Sequence, residues 1–172
     1  MKIKDLLLKK KQSILKKWFD HVMETYPQNT TGFIKGKVNS LNHPVGQAIH
    51  EGLEGIFDEI VGDTDREKVS IYLDNIIRIR AIQDFTPSQA VSFMFLLKKV
   101  LREELQEEVR QHQMYEDIMR LESEIDDLIN VSFDIFVKCR EKIYELKANE
   151  MKNWTYRILQ RTKMMKEVRA ED

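Results

Sequence analysis

Proline and glycine are scarce in this sequence of 172 residues, and neither occurs after Pro87. The chain contains three prolines and six glycines, and its last glycine is Gly62. Because these two residues interrupt regular secondary structure most strongly, residues 88–172 can be helical throughout. Their absence also excludes a glycine-rich phosphate-binding loop from that half. The sequence therefore predicts an all-α fold that ends in a long C-terminal helix.

Cysteine and long apolar runs are scarce as well. The single cysteine, Cys139, excludes an intrachain disulfide and a zinc site built from several cysteines. No stretch approaches the roughly 20 apolar residues that a membrane span needs. The N-terminal apolar run, residues 6–8, is too short for a signal peptide. We expect a cytoplasmic protein without membrane insertion.

Side chains for catalysis or metal binding do not occur in the required patterns. The four histidines lack the spacing of a metal-binding pair, and we expect surface or capping roles for them: His21, His43, His50 and His112. No nucleophile accompanies a base. The net charge of −1 and the lack of a helix-turn-helix spacing argue against nucleic-acid binding. The sequence predicts a protein that is not an enzyme and holds no cofactor and no metal.

Capping residues mark the predicted helix starts. Asn42 or His43 precedes Pro44, one of residues 63–65 precedes the third helix, and Thr86 precedes Pro87. A bend is expected at residues 109–114, because one helix over residues 88–172 would be about 128 Å long at roughly 1.5 Å per residue.

Three glycines, Gly46, Gly52 and Gly55, interrupt the predicted second helix. Gly52 and Gly55 lie on a strip of small residues, where each costs roughly 1 kcal/mol relative to alanine. This cost predicts that another backbone approaches the second helix closely at these positions.

Beyond the bend, apolar residues recur at spacings of three and four. We call them the apolar seam: Ile118, Leu121, Ile125, Leu128 and Ile135. Such spacing fits pairing of two chains in a homodimer and fits packing inside one chain equally well. The apolar pattern thins after Leu146. We therefore predict one domain over residues 1–146 and a helical extension over residues 147–172.

Two arginines interrupt an otherwise aliphatic stretch of the third helix. Arg78 and Arg80 alternate with isoleucines just before Asp84. A partly buried arginine needs an opposite charge. We expect a salt bridge to Asp84 or to another acidic neighbour, and the alternative is an anion-binding sensor site.

Several segments resemble one family of signalling domains. They are residues 14–18 (Ile-Leu-Lys-Lys-Trp), the helix start at residues 43–46 (His-Pro-Val-Gly), and residues 76–90 with their paired arginines, Phe-Thr-Pro turn and following apolar helix. Over about residues 5–146 the chain resembles the N-terminal domain of RsbT co-antagonist proteins, the RsbR/RsbRD group.

The resemblance implies a globin-like helical bundle, without haem, that forms a homodimer and passes a signal to a protein partner. Its relatives carry a C-terminal STAS domain, for which this sequence has no room after residue 172, so we expect a stand-alone sensor or adaptor with an unidentified signalling partner. The alternative is a sensor that binds a small ligand, less readily haem, in a cavity among Trp18, Phe57, Phe93 and Phe95.

Overall fold

The computed structural model describes residues 2–26, 44–62 and 65–170, with side chains up to residue 163. These residues form helices and no strands, which confirms the predicted all-α class and the long final helix. The five helices are α1 (Ile3–Glu24), α2 (Pro44–Val61), α3 (Arg66–Ile82), α4 (Pro87–His112) and α5 (Tyr115–Ala170).

Local side-chain hydrogen bonds determine where α3 and α4 begin. The Asp65 carboxylate accepts hydrogen bonds from the backbone N–H groups of Glu67 and Lys68, at 3.0 and 3.4 Å. Thr86 and Gln89 cap α4 reciprocally, and Pro87 occupies the first turn, where a missing N–H costs nothing. Both predicted caps are confirmed, whereas the predicted cap at Asn42 or His43 lies outside the described residues.

A single residue in a left-handed conformation ends α4. Gln113 has φ 55° and ψ 35°, and its N–H donates to the Val109 carbonyl. This conformation closes a helix and redirects the chain. The bend predicted at residues 109–114 is therefore confirmed, and a glutamine makes it rather than a glycine.

The core lies where α1 to α4 pack against one another. α1 contacts both α2 and α4, and α3 contacts the same two helices. The indole Nε1 of the fully buried Trp18 donates to the Phe93 carbonyl at 2.6 Å, which fixes the register between α1 and α4. Large side chains of this kind supply most of the burial energy of a domain.

Contacts divide the chain into two units, Met1–Val137 and Lys138–Asp172. The boundary predicted from the sequence lies nine residues later, after residue 146, and both positions lie within α5. In the second unit, every described side chain from residue 144 onwards is exposed. Seven of these are large and apolar: Tyr144, Leu146, Met151, Trp154, Tyr156, Ile158 and Leu159.

Two of the three glycines of α2, Gly52 and Gly55, lie beneath side chains of α3. A methyl group added to Gly52 would meet Ile76 at 2.8 Å, and one added to Gly55 would meet the Tyr72 ring at 2.5 Å. The nearest backbone atom, the Tyr72 carbonyl oxygen, is 3.6 Å from the Gly52 position. The predicted close approach is present, but side chains rather than backbone fill most of the space.

Substitution at this contact tests the packing argument. Gly52→Ala is expected to lower the free energy of unfolding by up to about 2 kcal/mol, because overpacking outweighs the helix propensity gained. In an Ile76→Ala background the same substitution should instead raise it, since the new methyl then fills free space. Urea unfolding of the natural protein, the two single variants and the double variant measures this coupling. A stabilising Gly52→Ala in the natural background would contradict it.

Candidate functional site

Helical geometry separates Arg78 from Arg80, two of the three arginines of α3. Two residues correspond to roughly 200° around a helix, so Arg78 and Arg80 face opposite sides. The Arg78 Nε donates to the Asp74 carboxylate at 2.6 Å on the exposed surface. Arg80 has 0% of its surface accessible and is among the largest fully buried side chains of the protein.

Neutral oxygens from two other helices hold the Arg80 guanidinium. Nη1 donates to the Gln89 carbonyl at 2.8 Å and more weakly to the Ser92 hydroxyl at 3.4 Å. Nη2 donates to the Thr25 hydroxyl at 2.9 Å. Thr25 is the C-terminal cap of α1, and the other two belong to the first turns of α4. One side chain of α3 thus joins the ends of two other helices.

Three aromatic rings surround the same guanidinium. Its carbon lies 5.2 Å from the ring centroid of Tyr26, 4.9 Å from that of Phe85 and 5.5 Å from that of Phe93. The Tyr26 and Phe85 rings also contact each other edge to face. A cation near a ring face is attracted by the ring quadrupole, so the rings replace part of the hydration lost on burial. We call Arg80 with these rings and oxygens the Arg80 cluster.

The Arg80 cluster holds a charge and two hydrogen-bond donors without matching partners. Among the described residues, no carboxylate lies within 4.0 Å of the guanidinium, so the acidic partner expected for Arg80 is not found there. The Nε of Arg80 and the hydroxyl of Tyr26 are buried and make no hydrogen bond. Neither atom has a partner in good hydrogen-bond geometry, although the phenol and the guanidinium lie near enough for a weak mutual hydrogen bond.

Burial dominates the ionisation of both groups. It raises the pKa of the Tyr26 phenol above 10.0, and the charge of Arg80 opposes this rise. It lowers the pKa of the Arg80 guanidinium below its usual range, and interaction with Tyr26 opposes this fall. A guanidinium remains protonated in proteins, so a full positive charge is buried here.

The two arginines form a matched pair for mutation. Arg80→Lys should lower the free energy of unfolding by at least about 2 kcal/mol, because an ammonium cannot reproduce the planar fork that reaches α1 and α4. Arg78→Lys, on the exposed face, should change it by less than about 0.5 kcal/mol. Chemical denaturation compares them, and equal effects would show that the buried contacts contribute nothing.

A second set of polar residues links α4 to α5. Arg102 binds the Glu122 carboxylate through both Nε and Nη2, at 2.5 and 2.6 Å. Lys98 binds Asp126 at 2.7 Å and lies 3.9 Å from Glu122. We call these four residues the α4–α5 ion-pair cluster. It joins the first part of α5 to α4.

The apolar seam of α5 lies largely inside the single chain. Leu121, Ile125 and Leu128 are buried, while Ile118 and Ile135 are half-buried. This burial supports the alternative in which the seam packs within one chain. Its role in pairing two chains remains a prediction.

The ion-pair cluster makes stability depend on pH. The hydrogen bond from Arg102 lowers the pKa of the Glu122 carboxyl from 4.5. A carboxyl of this kind stabilises the fold above its unfolded-state pKa and loses that contribution as the pH falls through the folded-state pKa. Glu122→Gln should therefore lower stability most near neutral pH and progressively less below pH 4.5.

The expected difference is about 1 kcal/mol or less, since the Arg102 side chain is 63% exposed and solvent screens the pair. Urea unfolding at several pH values measures it. Glu124→Gln is the matched control, because Glu124 lies on the exposed side of α5 and forms no ion pair with described residues. A constant difference between Glu122→Gln and the natural protein at all pH values would contradict the assignment.

The remaining candidates do not form a common site. His50 packs against the Phe19 ring, His21 lies 3.2 Å from Glu24, and His112 is exposed at the end of α4, whereas His43 lies outside the described residues. Within residues 2–26, 44–62 and 65–170, no group of three or more His, Cys, Asp or Glu side chains could hold a metal ion.

The four aromatic residues proposed for a ligand cavity are divided between the core and the surface. Trp18, Phe57 and Phe93 are buried, but Phe95 is 53% exposed. It lies in an open depression of α4 beside Lys98, Lys99 and Arg102. The prediction that all four line one cavity is therefore wrong for Phe95.

Sequence reasoning identified Arg80 but missed the residues around it. These residues lie in three separate parts of the sequence: Thr25 with Tyr26, Phe85, and Ser92. The sequence feature that could have indicated the cluster is Phe85, the aromatic residue between the paired arginines and the start of α4. None of the helices in the described part of the chain combines the length and apolar character that a membrane crossing requires.

Most of the chain matches the model of one known protein family. The family model described as the RsbT co-antagonist protein rsbRD N-terminal domain matches residues 12–151. This match contains α2, α3, α4, most of α1 and the first part of α5. No curated protein and no solved structure matches the chain. The chain belongs to the RsbRD N-terminal domain family, a family of stress-signalling regulatory domains.

Proposed function

We propose that this protein is a non-enzymatic sensor or adaptor that forms a homodimer and relays a signal to a protein partner through its C-terminal helix. The observation that carries the proposal is a set of apolar side chains on the exposed part of α5. They lie on one side of the helix, and the described part of the chain does not cover them.

These side chains follow the spacing of a coiled coil. Tyr144, Met151 and Ile158 recur every seven residues, and Ala148 and Thr155 lie between them at spacings of four and three. We call these five residues the α5 stripe. A repeat of seven residues keeps one face of a helix in contact with a second helix over several turns.

A second copy of the same helix is the occupant that we propose for the α5 stripe. Its three large side chains are exposed: Tyr144 to 56%, Met151 to 70% and Ile158 to 42%. A helix that buries no apolar face is only marginally stable in water. Pairing of two identical stripes would bury both at once and would give a symmetric dimer.

The same helix supplies a route for the signal. The α4–α5 ion-pair cluster and the α5 stripe both belong to α5, which is continuous from Tyr115 to Ala170. A change in how α4 holds Glu122 and Asp126 would therefore act on the helix that pairs the two copies. This supports α5 as the output element of the module.

Two pairs of glutamate substitutions test the dimer. Met151→Glu with Ile158→Glu places charge on the α5 stripe and should convert a dimer into a monomer. Leu146→Glu with Tyr156→Glu adds the same charge roughly 140° away around the helix and should leave the dimer intact. Light scattering after size exclusion gives the mass of each protein.

A natural protein that is monomeric at high micromolar concentration would remove the dimer from the proposal. If both pairs of glutamate substitutions dissociated the dimer, added charge alone, rather than the α5 stripe, would control assembly. If Leu121→Glu with Leu128→Glu abolished the dimer without unfolding the chain, the apolar seam would be the pairing surface instead.

A sensor of small ligands is the second candidate function. The Arg80 cluster favours it, because that cluster contains a charge and donors that the described residues do not satisfy.

A further inference from the structure

We propose that the Arg80 cluster is a binding site for a small oxyanion, the carboxylate or phosphate group of a metabolite. The proposal adds a class of ligand to the sensor role and rests on that role for its biological meaning. Its physical basis is separate, since it depends on residues of α1, α3 and α4 and not on the α5 stripe.

The buried charge of Arg80 is not balanced by a carboxylate of the described residues. A buried guanidinium without a counter-ion is costly, and natural proteins pair such groups with an acid or an anion. The three rings around Arg80 offset part of this cost, as does the carbonyl end of α1 at Thr25. The N-terminal end of α4, where the helix dipole is positive, lies on the other side at Gln89. It therefore also favours a negatively charged ligand.

The hydrogen bonding of the cluster is also incomplete. The Arg80 Nε–H and the Tyr26 O–H are both buried, and neither has an acceptor. Nearly all buried donors in folded proteins are satisfied, so two orphans in one cluster require an explanation. An oxyanion offers several lone pairs on adjacent oxygens and could accept from both groups.

The oxygens of the protein nearby are already engaged. The Gln89 carbonyl accepts from both Arg80 Nη1 and the Ser92 hydroxyl. The Thr25 hydroxyl accepts from Arg80 Nη2 while donating to the Val22 carbonyl at 2.6 Å. Neither group can turn towards the orphan donors without giving up a bond. The Tyr26 oxygen can accept from the Arg80 Nε–H, but the Tyr26 O–H then still lacks an acceptor, which an anion would supply.

The cluster lies close to the surface although Arg80 itself is covered. Thr25, Tyr26 and Ser92 each contact Arg80 and are half-buried. A small ion would reach the guanidinium by displacing these side chains. Because Arg80 is fully buried, a small anion would disturb the packing less than a large one.

Thermal unfolding and fluorescence test the site in the full chain. The probes are inorganic phosphate, acetate and succinate, each compared with chloride at equal ionic strength. At least one probe should raise the Tm saturably, by roughly 5 °C at large excess over its Kd. In a Trp154→Phe background, the emission of Trp18 should change with the same midpoint, because its indole bonds to Phe93 of the cluster.

Three variants assign the effect to this site. Arg80→Met should abolish the response, and Arg78→Met, two residues away on the exposed face, should retain it. Tyr26→Phe keeps the ring and removes the orphan hydroxyl, so affinity should fall roughly tenfold. The unliganded Tyr26→Phe protein should be no less stable than the natural one, which keeps the test informative if Arg80→Met does not fold.

The proposal is overturned if none of the three probes exceeds the effect of chloride. It is equally overturned if the response is the same in the natural protein and in Tyr26→Phe. A difference between phosphate and the carboxylates identifies the source of the oxyanion. A dimer without anion binding would remove only this inference, and anion binding by a monomer would remove only the pairing proposal.

Discussion

Burial of the Arg80 guanidinium is the constraint on which the arrangement of α1, α3 and α4 depends. A charged group can lie in the core only if its donors reach acceptors, and the acceptors here come from the end of α1 and the start of α4. These helix ends must therefore stay within hydrogen-bond distance of α3. Phe93 strengthens the same junction, because its ring faces Arg80 while its carbonyl accepts from Trp18.

The helix α4 contacts α1, the Arg80 cluster and the first part of α5. Its first turns bind Arg80, and its last turns bind α1 through ion pairs of Glu104 with Lys17 and of Glu108 with Lys10. Between them, Lys98 and Arg102 bind α5. A ligand at the Arg80 cluster would therefore act on the helix that also holds α5, through a chain of direct contacts.

The helix α5 contains two apolar surfaces with different environments. Its first part buries Leu121, Ile125 and Leu128 within the chain, whereas Tyr144, Met151 and Ile158 further along are exposed. Both segments show apolar residues at spacings of three and four. Periodicity reveals that a helix has an apolar face, but it does not reveal which partner covers that face.

Much of the fold could be predicted from the sequence because its signals are local. Thr86 with Pro87, Asp65, and the absence of glycine and proline after Pro87 act through the nearest turn of backbone, so the order and the starts of the helices followed from residue type. The partners of Arg80 could not be predicted in this way, since Thr25, Phe85 and Ser92 come together only when three helices pack.

What the sequence by itself determined is thus the helical class, the helix ends and the family. Which arginine is buried, which apolar residues of α5 are covered, and which donors lack acceptors were decided by the tertiary structure. The physical reason is that capping and propensity act between residues a few positions apart, whereas burial depends on neighbours that are distant in the chain.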